Sequence, residues 1–310
     1  MNKLKISMLA LCFAATFTAC KKEKDDELQL DAQTEQHNKD ANYYRGEADQ
    51  ADNDINNTLR DIPAFGKTAG LQSDPLCGCT VDSSQLSQKT LFFNFDGVTP
   101  CFSPSRTRSG QIKVQLISGN FWSDVNAVIS IQFINYKVTR LSDNKSVKFN
   151  AFKTLQNVNG NDWLGFLLGS KALKYRERAF NINVDFDNGQ TAIWNSARTT
   201  EWTYSAATQR ISFKANGDTI VNGHSNTDSW GSNRFGTGFV INYNSPWSSN
   251  TYCGLWRPVS GEAVNHINNN QYKLTLGVDQ QGNPSTLNCA YGYKISWVVD
   301  GKTGSKVISY

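Results

Sequence analysis

Paired carboxylates are the first residues here whose types and spacing could do chemistry. Asp185 and Asp187 stand two apart in Phe180-Asn-Ile-Asn-Val-Asp-Phe-Asp187, which puts both on one face of a strand. Glu201 and Glu262 are two of the few glutamates downstream of residue 63, and such carboxylates flanking a glycosidic bond could serve as acid and nucleophile or base. Asp187 also opens Asp187-Asn188-Gly189, where an Asp is expected for turn geometry alone, and that reading is preferred. The same run spells the start of a calcium loop but lacks the closing Glu. His224, Ser225 and Asp228 have the residue types of a nucleophilic triad, yet adjacent residues of a strand point to opposite faces. There is no His-Glu-x-x-His, no Gly-x-Ser-x-Gly and no phosphate-cradling glycine loop. No catalytic residue, metal ligand or cofactor is therefore assigned.

Aromatic residues are the stronger signal. Of the 8 tryptophans, Trp230, Trp247 and Trp256 lie among Asn, Ser, Gly and Tyr, a setting that offers flat stacking faces for sugars beside amide hydrogen-bonding groups. These three are the candidate ligand-binding residues. Trp194 and Trp202 flank Arg198, where an arginine stacked on indole is the structural alternative. Trp297, inside Ile295-Ser-Trp-Val-Val, reads as core.

These residues must be positioned by strands. Thr90-Leu-Phe-Phe-Asn-Phe, Gln111-Ile-Lys-Val-Gln-Leu-Ile, Val128-Ile-Ser-Ile-Gln-Phe-Ile-Asn-Tyr-Lys-Val, Gln271-Tyr-Lys-Leu-Thr-Leu and Lys294-Ile-Ser-Trp-Val-Val alternate apolar with polar residues. Turn signals at Asp187-Asn-Gly189, Asn216-Gly217-Asp218, Gly282-Asn-Pro284 and Asp300-Gly301 separate such runs. On the order of a dozen strands and no helix after Pro63 predict an all-β domain over 75–310, an antiparallel sandwich or open β-roll. A composition of 39% hydrophobic and 19% charged residues in 310 is that of a globular chain, and a net charge of +4 does not suggest a nucleic-acid binder.

The charge is divided unevenly. Residues 21–62 carry 12 acidic against 6 basic residues, whereas the chain from Pro63 onward is basic. Within that acidic leader Tyr44, Ala48, Ala51, Ile55, Leu59 and Ile62 recur at helical spacing, predicting an amphipathic helix over 43–62 that Pro63 stops. A narrow apolar stripe on a polar helix predicts docking on the protein's own body. Residues 20–42 read as an acidic tether.

The first 19 residues combine Lys3 and Lys5, the apolar run from Ile6 to Phe17 and the small residues before Cys20, which is a secretory signal. Phe17-Thr18-Ala19-Cys20 resembles the lipobox of bacterial lipoproteins, which implies acylation of Cys20. Lys24-Asp25-Asp26-Glu27 resembles the charged signal that sends Bacteroidota-type lipoproteins to the cell surface. Together these imply a chain held in the outer membrane by its lipid and facing the cell exterior. Beyond Cys12 and Cys20 five cysteines remain, and an exported chain with 3 histidines favours disulfides over metal. Several pairings satisfy the sequence. The one taken here joins Cys79 with Cys101 and Cys253 with Cys289, leaving Cys77 free.

The pattern Cys79-Thr-Val-Asp, Cys101, Ser105-Arg-Thr-Arg-Ser-Gly110-Gln-Ile-Lys-Val, Trp194-Asn-Ser-Ala-Arg198-Thr-Thr-Glu-Trp202 and Cys253-Gly-Leu-Trp-Arg-Pro-Val-Ser-Gly261 resembles a group of Bacteroidota-type lipoproteins of unknown function. The resemblance spans most of the chain from Cys79 onward. It implies an exported β-rich domain and carries no activity or site residue. The function expected is non-catalytic binding or envelope assembly, with glycan or an envelope protein as partner. Two alternatives are a periplasm-facing lipid or lipopolysaccharide carrier and a glycan hydrolase.

Overall fold

Asp31 caps the first element by accepting a hydrogen bond from the Thr34 amide at 2.9 Å, and a helix, α1, runs Ala32–Asp61. Ile62, held extended before Pro63, ends it. The computed structural model describes residues 30–66, 76–102, 105–161, 163–169, 172–254, 257–268, 270–299 and 301–310. Cys20, the run Lys24-Asp25-Asp26-Glu27 and Trp256 lie outside the described residues.

The rest is one antiparallel sheet interrupted by a 3-10 turn at Leu86–Gln88 and by a one-turn helix, α2 (Trp163–Leu167), which corrects the expectation of no helix after Pro63. Its strands are β1 (Cys79–Asp82), β2 (Thr90–Asp96), β3 (Arg106–Ser118), β4 (Ala127–Arg140), β5 (Ser146–Asn157), β6 (Leu173–Phe186), β7 (Thr191–Ser205), β8 (Arg210–Gly217), β9 (Thr219–Val221), β10 (His224–Ser232), β11 (Gly238–Asn250), β12 (Ser260–Ile267), β13 (Asn270–Val278), β14 (Gly292–Val299) and β15 (Lys302–Ser309). Neighbours in sequence are neighbours in space except in the middle, where β8 and β10 share the slot between β7 and β11. β8 fills one end of that slot and β10 the other.

The all-β expectation is met, and the architecture is a single curled sheet rather than a two-sheet sandwich. The inward rows of β3, β5, β7, β10, β11, β12 and β15 all reach α1. Apart from the polar residues that meet α1, the inward residues are mostly apolar, as in β4, where Ala127, Ile129, Ile131, Phe133, Tyr136 and Val138 are buried while Gln132 and Lys137 are exposed. Among the described residues no helix is long and apolar enough to cross a membrane.

α1 departs from the sequence expectation at its start. It begins at Ala32 rather than 43, so about half of the expected tether, from Ala32 to Asn42, is helical. The apolar period could not reveal this, because the first turns are buried through polar partners: His37, Asn38 and Asp40 lie inside with Thr34. The expected stripe does dock on the protein's own body, with Ala51, Ile55 and Leu59 in the core.

The division of charge along the chain becomes a set of contacts between helix and sheet. Glu35 pairs with Lys306 of β15 at 2.5 Å, and Asp40 takes both arms of Arg234, in the β10–β11 connection, at 2.6 and 2.7 Å. Glu47 meets Arg106 and Asp54 meets Arg108, both on β3, at 3.3 and 2.5 Å. Asp52 meets Lys153 of β5 at 2.6 Å, and Asp49 meets Arg198 of β7. Arg45 reverses the sense by pairing with Asp228 of β10. Asp49 and Asp54 lie about 140° apart around the helix and reach different strands, so α1 is enclosed rather than laid on a surface.

Turn chemistry accounts for most connections. Gly189 and Gly301 close the β6–β7 and β14–β15 hairpins with positive φ. Asn216-Gly217-Asp218 is not a hairpin turn: Gly217 ends β8, where an added Cβ would lie 2.0 Å from the Asn226 carbonyl oxygen. The turn falls at Asn222-Gly223, between β9 and β10, with both residues at positive φ.

The disulfides are Cys77–Cys101 and Cys253–Cys289, with Cys79 free. The second matches the expectation and the first corrects it. Cys79 opens β1 opposite Phe95 and packs against the core, whereas Cys77 stands before the strand at a bend made by Gly78. Burial also pushes the Cys79 thiol up to about 11, which keeps it protonated and inert. Cys77→Ser should therefore lower stability by about 3 kcal/mol through loss of a long loop closure. Cys79→Ser should shift it by well under 1 kcal/mol, and urea melts of the two variants distinguish the pairings.

Candidate functional site: an aromatic row on the outer face

The outer face of the sheet carries a line of bulges. Register shifts fall between Phe133 and Tyr136 on β4, Asn150 and Lys153 on β5, and Ala179 and Ile182 on β6. Asn135 and Asn181 sit in the bulges with positive φ. An asparagine of the next strand caps each one: the Asn135 amide donates to Asn150 Oδ1 at 2.8 Å, and the Asn181 amide to Asn195 Oδ1 at 2.9 Å. Asn195 Nδ2 then donates to the Trp230 carbonyl at 3.1 Å.

Bulges break the alternation and leave large side chains on the solvent side. Phe152 and Phe180 are 56% and 54% exposed. Trp230 stands edge-on to Phe180 at 6.1 Å and pairs in register with Asn195 on one side and Val240 on the other. Val240 pairs with His266, whose ring stacks on His224 at 3.7 Å and whose Nε2 shares a 2.8 Å hydrogen bond with Asn242 Oδ1. Burial, and then the His224 ring, lower the pKa of His266, which favours its neutral form as a stacking surface. The row crosses β5, β6, β7, β10, β11 and β12, and five strand spacings make it roughly 24 Å long.

Of the three tryptophans singled out in the sequence, Trp230 lies in this row. Trp247 is 2% exposed, faces inward from β11 and packs at 4.9 Å on Phe213, which corrects its reading as a candidate ligand-binding residue. Trp194, Trp202 and Trp297 are likewise inward. Arg198 does not stack on either flanking indole but engages Asp49 and Glu177.

The other candidates are not brought together. His224 faces out to His266 while Asp228 faces in to Arg45, so the triad residues lie on opposite sides of the sheet. Asp185 pairs with Lys148 at 2.8 Å near the end of β6 opposite Thr191, and Glu201 lies ten residues further along β7, about 33 Å away. A glycosidase pair needs separations of roughly 5–9.5 Å. Asp187 lies in the turn after β6, with its amide donating to the Ser146 carbonyl at 3.2 Å. Glu262 is held by Lys273 at 2.6 Å and Asn244 at 2.8 Å.

Sequence reasoning missed Phe152, Phe180 and the capping asparagines. The available signal was an isolated Asn inside otherwise alternating strands, as in Ile134-Asn-Tyr136, Phe149-Asn-Ala151, Phe180-Asn-Ile182 and Trp194-Asn-Ser196. Compared with known proteins, the chain matches no family model, no curated protein and no solved structure.

Behind the row, His37 of α1 is fully buried against Phe239 at 4.6 Å and Trp194 at 5.7 Å, and neither ring nitrogen has a partner. Burial pushes its pKa down to about 4. A folded value below the unfolded 6.5 means that the unfolded chain binds the proton first. This contribution is whole above pH 6.5 and falls by about 3 kcal/mol as the pH drops to 4. His37→Phe should flatten that part of the acid dependence. Burial raises the carboxyls of Asp40, Glu47 and Asp49, and Asp52 reaches about 7, all acting with the opposite sign. The difference between the two proteins' urea melts at pH 4 and pH 7 therefore isolates His37.

Proposed function

We propose that this protein is a non-catalytic glycan-binding protein, held in the outer membrane through a lipid on Cys20 and facing the cell exterior. The observation that carries the reading is the outer-face row, in which Phe152 and Phe180 are exposed at strand bulges beside Trp230. Folding normally buries large aromatics. Here the bulges hold them outward on a rigid sheet, which presents stacking faces without the ordering entropy of a loop. Asparagine amides border the rings and suit sugar hydroxyls, while apolar ring faces suit the C–H faces of a pyranose. The row is long enough for several sugars of an extended chain.

Binding to a panel of neutral oligosaccharides tests this directly. Phe180→Ala and Trp230→Ala should each weaken binding about tenfold or more, as for hot-spot aromatics, with the urea midpoint of Phe180→Ala nearly unchanged. Trp297→Phe, on the inner face, should leave binding intact. Absence of binding across the panel would count against a glycan partner and favour an envelope protein on the same surface. The location is tested by protease shaving of intact cells. The native domain should be cleaved, and a variant with alanines for Lys24-Asp25-Asp26-Glu27 should be protected.

A further inference from the structure

Cations outnumber carboxylates beside the aromatic row. Register sets Phe92 of β2, Lys113 of β3, Gln132 of β4 and Phe152 of β5 side by side, so Lys113 stands in line with the row, two strands from Phe152. Its ammonium lies 6.0 Å from the centre of the Phe92 ring and has no carboxylate partner among the described residues. At the far end Asp82 of β1, opposite Phe92, already accepts from the Ser84 amide at 2.8 Å. On β6, buried Ala179 separates Phe180 from Arg178, so those two side chains leave the same face. Arg178 pairs in register with Thr154, two residues from Phe152.

Arg176 and Arg178 both donate to Asp218 Oδ2, at 2.8 and 2.7 Å. One carboxylate does not neutralise two guanidiniums, and the two side chains stay 43% and 31% exposed. Further along the same strands Glu201 of β7 stands in register between Lys174 of β6 and Lys214 of β8, again one acid for two bases. The acids of α1 do not offset these charges, because they are paired on the inner face. A surface ion pair is worth only about 0–1 kcal/mol, so an incoming anion competes for Arg176 and Arg178 on even terms with Asp218.

We infer, resting on the glycan reading, that the glycan held along this row is acidic: its sugars carry carboxylate or sulfate groups that meet Lys113 and the Arg176–Arg178 pair while their rings stack on Phe152 and Phe180. A planar guanidinium offers two parallel N–H groups to the two oxygens of such an anion, and Lys113 adds a point charge. Lys113 and Arg178 lie three strand spacings apart, about 14 Å across the sheet, so a chain that follows the row passes both.

Titration calorimetry of the full mature chain with two matched pairs tests this: oligogalacturonate beside its methyl ester, and a sulfated galactan oligomer beside its desulfated form. At least one charged member should bind about tenfold more tightly than its neutral partner, as for charge-assisted hydrogen bonds, and about 0.5 M salt should remove most of the difference. The pair with the larger ratio names the anion. Lys113→Gln and Arg178→Gln should each lower the ratio of charged to neutral affinity by about threefold. Lys113→Gln breaks no ion pair, so its urea midpoint should hold and the test stands even if Arg178→Gln does not fold. Equal affinity for charged and neutral members of both pairs would overturn the proposal and leave the glycan reading in place, whereas binding of none of the four would overturn both. A preference for charge that is unchanged in the folded variants would overturn it as well.

Discussion

Arg198→Met is expected to lower the unfolding free energy by about 3–5 kcal/mol, seen as a fall in the urea midpoint at unchanged slope. Arg198 is 3% exposed and joins Asp49 of α1 to Glu177 of β6, which Lys153 links in turn to Asp52. The Ser196 hydroxyl also donates to Glu177 at 2.6 Å. Burial alone would raise Glu177, but the Arg198 and Lys153 charges outweigh it and hold this carboxyl below its ordinary range. With Arg198 gone, three buried carboxylates face Lys153 alone, and the side chain that replaces the guanidinium offers none of its hydrogen bonds. The carboxyls then titrate above their unfolded values, so the folded state takes up protons that the unfolded chain does not. The deficit should therefore shrink as the pH falls from 7 toward 4. Adding Asp49→Asn should recover part of the loss, because it removes one uncompensated charge. Glu201→Gln, exposed on the same strand, is the control and should change stability by less than about 0.5 kcal/mol. A midpoint for Arg198→Met within that same margin would show that the network does not hold helix and sheet together.

A chain beginning at Pro63 should fail to give a cooperative unfolding transition and should bind a hydrophobic dye, the largest effect expected for any change here. α1 supplies Ala51, Ile55 and Leu59, exposed by 2%, 1% and 0%, to the one core that the strands share. Its removal opens those contacts and takes the α1 carboxylates away from Arg106, Arg108, Lys153, Arg198 and Arg234 at once, leaving Lys153 and Arg198 to share Glu177. The graded version is Leu59→Ala, which should cost about 2–5 kcal/mol. A peptide of residues 30–66 added to the truncated chain should restore near-native circular dichroism and quench dye binding, since the helix carries matching charges and its own N-cap. If the truncated chain instead melted sharply at the full-length temperature, α1 would be an accessory and not part of the core.

Much of the fold was legible because strand chemistry is local. Alternation in Thr90-Leu-Phe-Phe-Asn-Phe or Val128-Ile-Ser-Ile-Gln-Phe places those segments in β2 and β4, and Asp187-Asn-Gly189 places a hairpin turn, without reference to anything distant. The Cys253–Cys289 bridge was one of several pairings the sequence allowed. Cys79 was chosen over Cys77 because nothing local tells which of two cysteines around Gly78 faces the core. The glycan candidates show the same boundary: Trp230 and Trp247 have similar neighbours in sequence, yet one lies on the outer face and the other is inside.

The sequence by itself determined an all-β chain, an acidic leader containing a helix, and a basic remainder, because period, turn residues and charge are properties of short segments. Only the tertiary structure decided that the two charge classes are each other's partners inside one curled sheet. It also decided that α1 begins at Ala32, and that bulges turn Phe152 and Phe180 outward. The physical reason is shared by all three. A buried carboxylate, a polar helix turn or an outward phenylalanine is permitted only by groups far away in the chain, such as Arg198 for Asp49, Asn265 for Asn38 and Asn195 for the Asn181 bulge.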